Sequence, residues 1–92
     1  MEFAVVKMNK KKLLAEIINS RGKNVLFIDF VTVVEAFGFR LDRVNGSHHI
    51  FIHNETKQLI SLQRDGKDAK PYQIKQFIAI VERFNLKMED KE

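Results

Sequence analysis

Cysteine and tryptophan are absent from this 92-residue chain, proline occurs once and glycine four times. Without thiols there can be neither a disulfide framework nor a thiolate metal site. No apolar run approaches the ~20 residues needed to cross a bilayer as a helix. The opening Met1-Glu2-Phe3-Ala4-Val5-Val6-Lys7 has too short an apolar stretch, with no basic residue ahead of it, to read as a secretion leader. Repeats and low-complexity segments are missing as well. These absences predict a soluble, cytoplasmic protein without a membrane partner.

What is present suits one folded domain spanning residues 1–92. The apolar fraction is 45% and there are eight phenylalanines, enough for a single modest core. Sixteen basic against 12 acidic residues give a formal charge of +4 and a pI near 9.5. That balance permits an anionic partner such as nucleic acid, and is equally compatible with an ordinary solvated surface.

Asn9 is placed to cap a helix whose apolar positions are Leu13, Leu14, Ile17 and Ile18, and Asn19-Ser20-Arg21-Gly22 ends it, giving an N-terminal helix within residues 9–21. Lys10, Lys11 and Lys12 in its first turn read as a solvated helix start, or else as a phosphate-contacting cluster. Residues 31–34 are β-branched and favour strand by propensity. Phe30, Val33, Val34 and Phe37 nevertheless follow an i, i+3, i+4, i+7 spacing that ends at Gly38, with Asp29 as cap and Ile28 and Val33 as a hydrophobic staple. The spacing predicts a helix over 30–37. Asn45-Gly46 between two β-rich runs predicts an antiparallel hairpin over 39–53. A third strand follows over 58–63, then a charged loop over 64–70. The final helix, 72–84, opens at Pro71 and carries Ile74, Phe77, Ile78, Val81 and Phe84 on one stripe. Asn85 ends it, and residues 87–92 form a charged, frayed tail. The prediction is an α+β fold of order α-α-β-β-β-α, with the last two helices covering one face of a three-stranded antiparallel sheet.

All three histidines lie within residues 48–53. Alternation puts His48, Ile50 and Ile52 on one face and His49, Phe51 and His53 on the other, without saying which is buried. Imidazole exchanges protons near neutral pH, the property that metal-free RNA cleavage needs in order to deprotonate a ribose 2′-OH. His48, at the strand's first position beside a turn, can reach solvent. It is a candidate general base or acid, or simply a strand-start histidine that hydrogen-bonds locally. Backbone N–H groups of Gly46 and Ser47, or the Ser47 hydroxyl, could hold a phosphate oxygen. His49 and His53 share a face but stand roughly 13 Å apart along a strand, too far for one zinc, so no metal or other cofactor is expected. Arg40, Arg43, Arg64, Lys67, Lys70 and Lys75 form a possible RNA track, with Tyr72 the best stacking partner, or else an ordinary charged surface.

Gly38-Phe39 leading through Arg43 to Gly46-Ser47-His48-His49-Ile50-Phe51 resembles the HicA family of bacterial toxins, small messenger-RNA interferases with a Gly-Ser-His signature at the start of a strand. The similarity runs over residues 27–86, which makes the N-terminal helix an addition to that core. The resemblance implies a fold like that of double-stranded-RNA-binding domains, with messenger RNA as substrate. It also implies His48 as the catalytic residue and a HicB-type antitoxin that covers the His48 turn. Where many relatives carry Pro-x-His and Gly-Thr-Leu elements, this chain has Gln63-Arg64-Asp65-Gly66 and Lys70-Pro71-Tyr72-Gln73. A second histidine is therefore missing, and water or Lys67 would have to serve as general acid. The other reading is a non-catalytic RNA-binding or protein-interaction module on the same scaffold.

Overall fold

A computed structural model describes residues 9–89; the N-terminal stretch read for a leader and the last three residues of the charged tail lie outside them. The side chain of Asn9 accepts hydrogen bonds from the backbone N–H groups of Lys11 (3.0 Å) and Lys12 (3.2 Å), which starts α1 at Lys10–Asn19. Of its apolar residues, Leu13 and Ile17 are buried, Leu14 is half-buried, and Ile18 faces out.

Helix α2 spans Phe27–Ala36, so the β-branched run is helical, as its spacing predicted. Its start lies three residues ahead of the expected one, and Asp29 is inside the first turn rather than capping it. The physical reason is a cap from elsewhere in the chain: the Lys67 carbonyl accepts the Phe27 N–H at 2.9 Å. The expected staple does not form either, since Ile28 is 62% exposed. Thr32 answers its own helix by donating to the Ile28 carbonyl at 2.9 Å.

Strands β1 (Phe39–Asn45), β2 (His48–His53) and β3 (Leu59–Leu62) form an antiparallel sheet in that order. Asn45 pairs with His48, so the two loop residues are Gly46 and Ser47. Gly46 alone of the pair takes a positive φ, +63°, as in a type II′ turn. Asp42 is an extra residue on β1: Leu41 pairs with Phe51 and Arg43 with Ile50, a bulge that shifts the alternation. The region expected to be a charged loop contains a small hairpin, β4 (Arg64–Asp65) with β5 (Asp68–Ala69). It is strapped to the segment before α2 by the Ala69 N–H to Val25 carbonyl bond of 2.8 Å. Helix α3 runs Pro71–Arg83.

Helices α2 and α3 cover the same face of the sheet. Phe77 of α3 meets Phe30 from α2, Phe37 at the C-terminal cap of α2 and Phe39 from β1, each edge-on with centroids 5.6–5.8 Å apart. Such pairs contribute about 0.5–1.5 kcal/mol each beyond the area they bury. Phe30, Val33, Val34, Leu62, Ile74 and Phe77 are the most deeply buried side chains, while Val81, expected in the core, is only partly buried. The chain after α3 is not frayed through residue 89. Leu86 and Met88 pack on the core, and the Glu89 N–H donates to the Ala36 carbonyl at 2.6 Å. Gly38 makes room for this return: with φ at +93°, a Cβ there would stand 2.6 Å from a Glu89 carboxylate oxygen and 3.0 Å from His53 Nε2.

Candidate active site

The covered face of β2 carries His49, Phe51 and His53, and the open face carries His48, Ile50 and Ile52. His53 is 4% exposed and both its ring nitrogens are engaged. Nε2 lies 3.0 Å from the Phe37 carbonyl, which can only accept, so Nε2 carries the proton. Nδ1 then accepts from the backbone N–H groups of Glu55 and Thr56, both at 3.1 Å. No lone pair remains for a metal or a substrate. His49 is half-buried, with its ring 5.5 Å from that of Phe27. It belongs to the packing under the sheet.

His48 is the exposed one. Its Nδ1 lies 3.2 Å from the Ser61 hydroxyl of β3, on the same open face. Nε2 has no hydrogen-bond partner among the described residues. Next to it a groove of about 290 Å³ runs between β3 and α3, lined by His48, Ser61, Gln63, Tyr72, Gln76 and Ile80 among others. Gln63 organises its near end. Its Nε2 donates to the Ser47 hydroxyl (2.8 Å), and its Oε1 accepts from the Lys70 ammonium (3.3 Å). The Gln63 backbone N–H in turn donates to Oε1 of Gln73, which is 5% exposed (2.9 Å). Lys70 is also the N-cap residue of α3, so a cation and the positive end of a helix dipole stand at the same place.

Ser47, His48 and Lys70 thus gather at one end of the sheet, joined through Gln63. The other candidates disperse. Gly46 shapes the turn, with no atom within 4 Å of where a Cβ would be. The Arg43 guanidinium donates to Asp42 at 2.6 Å, and Arg40 to the Asn54 side chain at 2.7 Å. Arg64 lies over the Phe27 ring, 5.1 Å from its centroid. Lys67 is exposed and docks on α2 through its backbone, with no hydrogen bond to the His48 cluster. Ser61 and Gln63 are the contributors that sequence reasoning passed over. Ser61 becomes visible once β3 is laid antiparallel to β2, because alternation then puts it on the face of His48.

No helix among the described residues is long and apolar enough to cross a membrane. Neither a curated protein nor a solved structure matches the chain. The family model of the HicA toxin of bacterial toxin–antitoxin matches residues 28–82. That stretch runs from the first turn of α2 to the last turn of α3 and contains the Gly-Ser-His turn, the sheet and the groove. Covering more than half of the chain, it shows that the protein belongs to the HicA toxin family.

Proposed function

We propose that this toxin is a messenger-RNA interferase that cuts RNA without a metal, with His48 as its proton-transfer group. One observation carries the reading: His48 is held at Nδ1 by Ser61 while Nε2 is left open beside a groove. In the proposed reaction Nε2 takes the proton of a ribose 2′-OH, and the freed oxygen attacks the adjacent phosphorus. The bond from phosphorus to the 5′ oxygen breaks, leaving a 2′,3′-cyclic phosphate. Water protonates the departing oxygen, and the imidazole returns its proton to solvent. A serine hydroxyl both donates and accepts, so Ser61 can hold His48 in either tautomer without moving the ring. The Lys70 ammonium, held through Gln63, offsets the charge that builds on the phosphate, a role the cluster supports better for Lys70 than for Lys67. Ser47 is a phosphate contact in the same scheme.

The expected regulator is a HicB-type antitoxin that covers the turn carrying His48, and the expected compartment is the cytoplasm. The non-catalytic reading draws on a different fact: among the described residues, no second acid–base side chain is hydrogen-bonded to His48. Single-turnover cleavage of one RNA decides between them. His48→Ala should lose about 10²–10⁴-fold in rate with an unchanged melt, while His49→Ala should lose little. A folded His48→Ala that cuts as fast as wild type removes the assignment. A wild type that binds RNA and never cuts it establishes the non-catalytic module instead.

A further inference from the structure

Tyr72 is the exposed aromatic of the groove, at 61%. Six of the phenylalanines are buried, and Phe84, 40% exposed, is not part of the groove's lining. Tyr72, Gln76 and Ile80 recur every four residues along α3 and therefore form one wall of the groove, whose lining at the edge of the sheet includes His48 and Ser61. The three glutamines around this groove are not equivalent. Gln63 and Gln73 are committed to Ser47, Lys70 and the backbone of β3's exit. The Gln76 amide is exposed and makes no hydrogen bond among the described residues. A volume of about 290 Å³ sits at the small end of ligand pockets and suits one base rather than a duplex.

We propose that this groove is a nucleobase subsite: Tyr72 stacks on one unpaired base of the RNA, and the Gln76 amide reads that base's edge. The proposal rests on the RNA-cleaving reading above and adds where the strand's bases go. An aromatic face accepts any base, because every base has a π-face. A primary amide offers one acceptor and two donors in fixed geometry, so it discriminates by edge. Affinity is thereby assigned to Tyr72 and preference to Gln76. A base held here leaves its ribose and phosphate beside His48 Nε2 and the Lys70 end of the groove. Single strands would be taken in preference to helices, whose bases are stacked on each other.

The test uses 2′-O-methyl homo-oligonucleotides of A, C, G and U, which cannot supply the attacking hydroxyl, and reads binding by fluorescence anisotropy. Tyr72→Ala should weaken binding to all four by about tenfold or more, and Tyr72→Phe should stay within about twofold of wild type. Gln76→Ala should narrow the spread of affinities among the four while the tightest of them falls. Thermal melts of each variant should match wild type, since both side chains are exposed. Unmodified RNA is cut in parallel. Tyr72-dependent binding with no cutting keeps the subsite and removes the nuclease reading. Cutting with affinities indifferent to Tyr72→Ala overturns the subsite and leaves the ring to a protein contact. No binding of any of the four by wild type overturns the subsite, and the parallel cutting of unmodified RNA then decides the nuclease reading by itself.

Discussion

Three histidines crowded into six residues have three different physical fates: alternation separates His48 from the other two, and hydrogen bonds separate His53 from His49. His53 is a fastener: one nitrogen donates to the end of α2 and the other accepts from the β2–β3 turn. Its removal would leave the buried Phe37 carbonyl and two part-buried N–H groups of the turn without this partner. His53→Ala should therefore cost about 2–4 kcal/mol in urea unfolding, with the per-molecule cleavage rate of the folded fraction unchanged. His48 has the reverse profile, and His48→Ala should leave the urea midpoint within about 0.5 kcal/mol of wild type. Had the two roles been exchanged, His48→Ala would unfold the protein and His53→Ala would silence it. The histidine cluster was legible in the sequence. Its division of labour was not, because both faces of residues 48–53 mix histidine with apolar side chains.

The elements were legible where a period or a cap is written into one stretch of chain. Asn9, the helical spacing of Phe30 to Phe37, the Asn-Gly turn and Pro71 all gave the right element within a few residues. What could not be read is what one stretch does for another. The cap of α2 comes from Lys67, some forty residues on, and no local residue announces it. The β4–β5 hairpin exists because it ties down that same helix start, although its composition is that of a solvated loop. The extra residue at Asp42 likewise leaves no mark, since a bulge is a property of a pair of strands. For the site, the element that matters is the junction of β3 with α3, where Gln63 bridges the Ser47 turn and Lys70. Gln63→Ala should lower kcat by about 10- to 100-fold with KM and thermal stability little changed, the pattern of a positioning residue. Gln63→Glu retains an acceptor for Lys70 and should recover part of the loss. A rise in KM alone, with kcat intact, would show that Gln63 only helps to bind.

For the molecule as a whole, the core is one-sided: α2 and α3 press on a single face of a three-stranded sheet, and Phe77, 1% exposed, is the point where α2, α3 and β1 meet. Phe77→Ala should cost about 3–5 kcal/mol, a large share of what a domain this small can hold, and chemical denaturation measures it directly. The site is built away from that centre. On β1 only Phe39 is buried, and Leu41 and Val44 stay exposed although they point to the covered side, so the hairpin reaches past its helices. Distance from the core has a consequence in time. Amide hydrogens of Phe51, Ile52, Ile60 and Leu62 should exchange with solvent only through global unfolding, whereas those of Val44 to His49 should exchange through local openings of far lower free energy. The end that holds His48 would breathe while the rest stays shut, so its amide exchange could be slowed by a bound partner without any shift in the slow set.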